Sequence, residues 1–215
     1  MKPPVKILCV YDVSYPSIEG GGQKRIYEVA LNLIKDGYDI TWVCFQTWEG
    51  DANFTDDNGV KYLGVSGYKG LYNKRGSRRL MEPLEFLINL KRKKIKFCNY
   101  DVIWAGQWPL THLAWWVLRP KILGRAVLIV DWWEIWGRTW FTYSKVFGIL
   151  GFLVEKFLIG ILSRRWCLVM PSQSALEKAQ SLCPTGNFQL IHNGINVKEI
   201  KNIKLQKSDV YDIAY

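Results

Sequence analysis

A regular alternation constrains this 215-residue chain more than any other feature: short β-branched runs give way, repeatedly, to longer amphipathic stretches. That alternation is the signature of βα units, in which a parallel sheet is flanked by helices. Strands are predicted over Val5–Tyr11, Asp39–Phe45, Val60–Val65, Asp101–Ala105, Ala126–Asp131, Cys167–Met170 and Phe188–Ile191. Between the first two lies a helix over Lys24–Asp36, with Ile26, Val29, Ala30, Leu33 and Ile34 on one face and Gly37 to end it. Further helices are predicted over 78–97, after Pro109, over 143–164 and over 174–182, the last capped by Ser172. The reading is a single Rossmann-like α/β domain over residues 1–196. Residues 197–215 read as a Lys-rich linker running into the first strand of a second, absent domain.

Charge narrows the partners. The net charge is +10, and it is not evenly spread. Residues 68–97 hold ten basic side chains against two acidic ones, and residues 119–166 hold eight against three. Two basic patches point to an anionic partner rather than to general solubility. In the first patch Arg78, Arg79, Lys91, Arg92, Lys93, Lys94 and Lys96 cluster at the two ends of a helix whose Leu80, Leu84, Leu87, Ile88 and Leu90 are apolar, with Lys74 and Arg75 just before it as further candidates for docking. Such a helix either docks on anionic lipid or faces the core with solvated ends. Eight of the eleven Trp lie between Trp104 and Trp140, which fits both a core and a membrane-interface belt. No aromatic interleaves the basic run 91–96, so a nucleic-acid partner is not expected. The five Cys show no C-x-x-C or His partner and read as reduced, buried thiols, and no metal is expected. The longest apolar stretch, Val146 to Leu162, is interrupted by Glu155 and Lys156 and falls short of a membrane span.

Two segments sit where chemistry belongs in such a fold. Glu19-Gly20-Gly21-Gly22-Gln23-Lys24-Arg25 joins the first strand to the first helix, where glycines let a backbone approach a phosphate. Its spacing is neither a dinucleotide fingerprint nor a P-loop, and a plain tight turn accounts for it equally well. Asp131-Trp132-Trp133-Glu134-Ile135-Trp136-Gly137-Arg138 follows a strand directly, at the edge where α/β folds place ligands. Its acids are embedded in aromatics, to be neutralised by Arg138 or another cation, and Trp132 and Trp136 read as core. His112 and His192, the two histidines, have no partner pattern for a metal site or a catalytic triad.

In order along the chain, EGGGQKRIYEVALNLIKDGYDITWVC, YDVIWA, VDWWEIWG, VMPSQSALEKA and IHNGIN resemble the N-terminal half of a GT-B glycosyltransferase of family 4, from about Val5 to Asn196. The resemblance implies a retaining enzyme that takes its sugar from a nucleotide-sugar donor and needs no metal. It implies that Gly21, Gly22 and Arg25 line the interdomain cleft, together with Glu134, Ser172, Asn193 and Gly194. Trp133 stands where many relatives carry a His, so an indole would meet a sugar ring there. The family's nucleotide-binding cation pair and E-x7-E motif belong to a C-terminal half that is not in this sequence. This chain alone would therefore be nearly inactive without that half, in cis or in trans. The basic and aromatic segments fit a lipid-linked or membrane-presented acceptor, and a cytoplasmic protein peripheral to the inner face of a membrane. A non-catalytic Rossmann-like module that docks at a membrane or recruits a partner is the alternative.

Overall fold

The computed structural model describes residues 3–70, 82–107, 125–143, 145–194 and 197. Eight strands form one sheet: β1 (Lys6–Val10), β2 (Asp39–Gln46), β3 (Asn53–Thr55), β4 (Lys61–Gly67), β5 (Val102–Gly106), β6 (Val127–Asp131), β7 (Cys167–Met170) and β8 (Phe188–Leu190). Their spatial order is β3-β4-β2-β1-β5-β6-β7-β8, with every pairing parallel except β3 with β4. Seven of these strands match the predicted ones to within two residues. β3 was not expected: three exposed residues give no buried periodicity to read. It is held instead by cross-strand aromatics, Phe54 stacking on Tyr62 with centroids 4.7 Å apart.

A strand buried on both faces reads as a continuous apolar run, and β1 shows why. Leu8 and Val10 enter one core, while Ile7 and Cys9 enter the other. The second core lies under α1 (Gly21–Lys35), through Ile26, Tyr27 and Ala30. The first lies under α2 (Glu82–Arg92), α4 (Lys145–Arg165) and α5 (Gln173–Leu182), with a short α3 (Trp140–Tyr143) leading into α4.

Helix ends follow local chemistry. α1 closes in a Schellman motif: Gly37 at φ +88° bonds back to Ile34 O, and Tyr38 to Leu33 O. Its buried face is rotated from the expected one, since Val29 is exposed while Gln23 and Tyr27 are buried. The reason is polar: the Tyr27 hydroxyl donates to Asp56 and accepts from Asn58. α5 begins as predicted, with Ser172 Oγ accepting from Ala175 N at 3.2 Å. The basic helix predicted over 78–97 ends at Arg92, because Lys94 takes φ +51° and a 3₁₀ turn follows at Phe97–Asn99. The helix after Pro109, the linker and the strand predicted at the C-terminus lie outside the described residues.

α4 is two-sided. Leu158, Ile159 and Leu162 are buried against the sheet, whereas Ile149, Leu150, Leu153 and Phe157 are each more than half exposed. Among the described residues no helix is long and apolar enough to cross a membrane. Ile159→Ala removes fully buried volume and is expected to cost about 2–5 kcal/mol. Leu150→Ala on the outer face should stay within about 0.5 kcal/mol. Urea unfolding midpoints of the two variants check this.

Candidate functional site

The strand order reverses between β1 and β5, so a crevice opens beyond their carboxyl ends, the usual ligand position of an open α/β sheet. Two glycines shape it. A Cβ on Gly22 would overlap the indole of Trp133, and a Cβ on Gly106 would overlap the ring of Tyr11. The Tyr11 and Trp133 rings themselves lie 5.4 Å apart and tilted. Glycine at these two places therefore admits two aromatic rings from β1 and the segment after β6. Gly21, the first residue of α1, has open space where a side chain would be.

Arg25 does not sit open in this crevice. From α1 it makes a fork to Asp131 at the end of β6, Nε to Oδ2 at 2.9 Å and an Nη to Oδ1 at 3.2 Å. Its other Nη donates to Asn193 Oδ1 at 2.7 Å, and further bonds reach the carbonyls of Ile191 and His192. Asp131 is almost wholly buried, so the guanidinium supplies both its counter-charge and its hydrogen bonds. The cation neutralising this acid is thus Arg25, not the exposed Arg138. His192 Nδ1 lies 3.1 Å from Pro171 O, fastening the same turn to the end of β7.

The segment after β6 is clamped through its main chain. Gln107 donates to Glu134 O at 2.7 Å and accepts from Glu134 N at 2.6 Å. The Trp132 indole also donates to Glu134 O. Buried Glu155 of α4 accepts from Trp136 N at 3.0 Å, Gly137 N at 2.6 Å and Trp140 Nε1 at 3.3 Å. Trp132 is core, as read from the sequence; Trp136 is only half-buried and packs on Trp140 with centroids 4.7 Å apart. Between this segment and α5 lies a cavity of about 350 Å³, lined by Trp133, Glu134, Ile135, Trp136, Thr139, Ser172, Ser174, Ala175 and Lys178.

Of the residues singled out in the sequence, Gly22 meets Trp133, Arg25 meets Asn193, and Trp133, Glu134 and Ser172 share the cavity. Gly194 is exposed beside Asn193. Lys91, Arg92, Lys93, Lys94 and Lys96 are exposed where the chain turns into the amino end of β5, the opposite edge of the sheet. Lys74, Arg75, Arg78, Arg79 and His112 lie outside the described residues. The described Trp of the 104–140 cluster are buried or half-buried rather than presented as a belt. Gln107 and Glu155 were missed, and only a three-dimensional clamp gives them a role. Among the described residues no three His, Cys, Asp or Glu gather as a metal site. Of the thiols, Cys9, Cys44 and Cys183 are buried but Cys98 is exposed. Burial, with Cys44 and Asp131 adding, pushes Cys9 well above the usual thiol range, and burial also raises Cys44, which disfavours the thiolate at both.

This fold and this edge define a class. The family model described as Glycosyltransferase Family 4 matches residues 19–199, and the chain belongs to that family. It also superposes on sucrose-phosphate synthase from Thermosynechococcus elongatus with a TM-score of 0.66 at 12% identity, over 90% of this chain and 49% of that one. A shorter chain of the same synthase aligns with a TM-score of 0.53 at 15% identity, over 91% of this chain and 92% of its own length. At such identities the likeness is one of fold, that of the N-terminal half of a GT-B enzyme. The chain spans about half the length of the longer synthase chain. No curated protein sequence matches it.

Four variants separate the roles of neighbouring residues. Arg25→Ala strands a buried carboxylate and is expected to destabilise the fold by about 3–5 kcal/mol, with Asp131→Asn in the same chain restoring part of the loss. Gly22→Ala must displace the Trp133 ring and should red-shift tryptophan emission, while Gly21→Ala leaves the spectrum unchanged. Thermal unfolding and fluorescence of the four variants check both statements.

Proposed function

We propose that this chain is the acceptor-side half of a retaining glycosyltransferase, working with a C-terminal donor-binding half that is reached through residues 197–215, a linker and the first strand of that half. The supporting observation is the carboxyl edge of the sheet, where the Gly22–Trp133 contact and the clamped 132–137 segment border a preformed cavity within this half. In the reaction the bond from the sugar C1 to the donor diphosphate breaks and the nucleoside diphosphate leaves with the electron pair. The acceptor oxygen bonds to C1 and its proton passes to an oxygen of the departing diphosphate, with retention at C1. Gly21 and Gly22 keep the start of α1 open to the transferred group, and the backbone N–H groups there favour the negative leaving group. Arg25 acts by position: it ties the Ile191–Asn193 turn to the sheet edge. Trp133, Glu134 and Ser172 face the acceptor. No metal is assigned a part, and no residue is assigned as base.

The acceptor is lipid-linked or presented at a membrane, and the protein is peripheral to the inner, cytoplasmic face. Two features support this reading. The outer face of α4 carries Ile149, Leu150, Leu153 and Phe157, while the one acid of that helix, Glu155, is turned inward. Beside that face runs an open groove of about 750 Å³ whose lining includes Leu153, Phe157, Lys156 and Arg164, suited to acyl chains and anionic headgroups. The exposed cations Lys91, Arg92, Lys93, Lys94 and Lys96 add charge of the same sign.

The test supplies nucleotide-sugars and a membrane lipid extract to residues 1–215, with and without a C-terminal half. Labelled sugar should appear in lipid only when both halves are present. Vesicle binding without turnover in either case would instead establish a non-catalytic docking module. Leu150→Glu with Leu153→Glu is expected to reduce flotation with phosphatidylglycerol vesicles at least fivefold, and to leave the secondary structure, read by circular dichroism, unchanged.

A further inference from the structure

Cys183 has no part in the carboxyl-edge site. It caps the end of α5, where the chain turns toward the amino end of β8, and it is nearly buried. Its surroundings are nonetheless not those of an inert core thiol. Burial raises it, but the Ser163 and Thr185 hydroxyls and the Arg164 guanidinium outweigh burial and hold it below the ordinary thiol value. Cys9 and Cys44 are both raised. The thiolate, not the thiol, is the nucleophilic form.

A second observation is independent of that titration. The Ser163 hydroxyl is wholly buried and has no hydrogen-bond partner of ordinary geometry among the described residues. It is directed at the Cys183 sulfur, where a neutral thiol is a weak acceptor and a thiolate or a carbonyl oxygen a strong one. The loop that carries the thiol is fixed against it. Asn187 N donates to Ser163 O at 2.7 Å and Gly186 N to Cys183 O at 3.0 Å, and a Cβ on Gly186 would overlap the Ser163 hydroxyl. A buried donor so held calls for an acceptor that arrives later.

Cys183 also forms part of the wall of the groove of about 750 Å³ beside α4. The other walls are mostly hydrocarbon, from Val154, Phe157, Ile161, Leu182 and Pro184, and none of the described lining residues is acidic. Gly160 belongs to the lining, and a Cβ there would meet nothing within 4 Å, so the helix leaves a notch in the wall. Lys156 and Arg164 supply the charge. A nucleophile opening onto a hydrocarbon trough beside two cations suits an electrophile with a long apolar tail and an anionic carrier. An acyl thioester whose thiol bears phosphates has both.

We propose that Cys183 is an S-acylation site, taking a long-chain acyl group from a phosphate-bearing acyl thioester and laying the chain along the α4 groove. The Cys183 proton passes to solvent water, and the sulfur bonds to the acyl carbonyl carbon. The carbon–sulfur bond to the donor breaks, and the donor sulfur leaves with the electron pair and takes up a proton. No oxidant or reductant enters. The new thioester carbonyl gives the Ser163 hydroxyl its acceptor, and the chain covers Leu153 and Phe157, which are more than half exposed without it. The site depends neither on sugar transfer nor on a second domain.

Incubation of residues 1–215 with palmitoyl-coenzyme A at neutral pH, followed by intact mass and peptide mapping, tests it. One palmitoyl group should appear at Cys183, be released by neutral hydroxylamine, and be absent from Cys183→Ala. Cys98→Ala should acylate as the parent chain does, although Cys98 is the exposed thiol. Gly160→Leu fills the groove and should slow acylation at least fivefold, while alkylation of Cys183 by iodoacetamide, which needs no groove, keeps its rate. Free palmitate, which occupies the groove without acylating, should slow the reaction too. Arg164→Gln should slow acylation and raise the pH midpoint of alkylation, which in the parent chain lies below the ordinary thiol value of about 8.5. Acylation spread evenly over the thiols, acylation undiminished by Gly160→Leu, or alkylation with no acylation at all would overturn the proposal. So would a Cys183 that is oxidised by peroxide or by glutathione disulfide yet takes no acyl group, the behaviour of a redox thiol. Should Cys183→Ala or Gly160→Leu fail to fold, peptide mapping of the parent chain and competition by palmitate decide instead.

Discussion

The fork between Arg25 and Asp131 holds this edge of the molecule together. It joins α1 to β6 across β1 and β5, and the same guanidinium reaches the turn after β8. A buried carboxylate is costly unless paired and hydrogen-bonded. Three elements distant in sequence are thereby fixed to one another at the carboxyl end of the sheet. The start of α1, the end of β6 and the Ile191–Asn193 turn thus meet at one guanidinium.

Around that pair the two cores divide the work. The core under α1 is polar at its rim, with Tyr27, Tyr62 and Asp56 sharing hydrogen bonds. The core under α2, α4 and α5 is aromatic as well as aliphatic, through Phe45, Phe86, Phe97 and Trp132, and its helices carry the buried Glu82, Glu155 and Ser163. α4 links this core to the candidate site, because one helix carries both Ile159, which packs on the sheet, and Glu155, which holds the segment above it.

Most of the architecture was legible in the sequence because strands buried on both faces declare themselves as apolar runs. Leu8 and Ile7 are apolar for opposite cores, and no other placement satisfies both. What escaped was decided by contacts rather than pattern. β3 has no buried residue, and the end of α2 turns on the backbone angle of Lys94. In the candidate site the glycines and the aromatic segment were visible, and so was the capping Ser172. The partner of Asp131 was not, since Arg25 lies 106 residues away from it in the chain. Glu155 read as an interruption in an apolar helix; it is the anchor of another segment, and only the fold brings the two together.

The clamps on residues 132–137 grip peptide groups far more than side chains: Gln107 takes the N–H and carbonyl of Glu134, and Glu155 takes the N–H groups of Trp136 and Gly137. Main-chain groups are the same whatever residue bears them. The frame therefore behaves as a socket with exchangeable fittings, in which the side chains at 134 and 136, joined by a hydrogen bond from the Trp136 indole to the Glu134 carboxylate, can change as a pair while the socket keeps its shape. A lineage built on this frame has a short route to new ligands, through two codons rather than a rebuilt loop, and a directed library at those two positions inherits the same freedom.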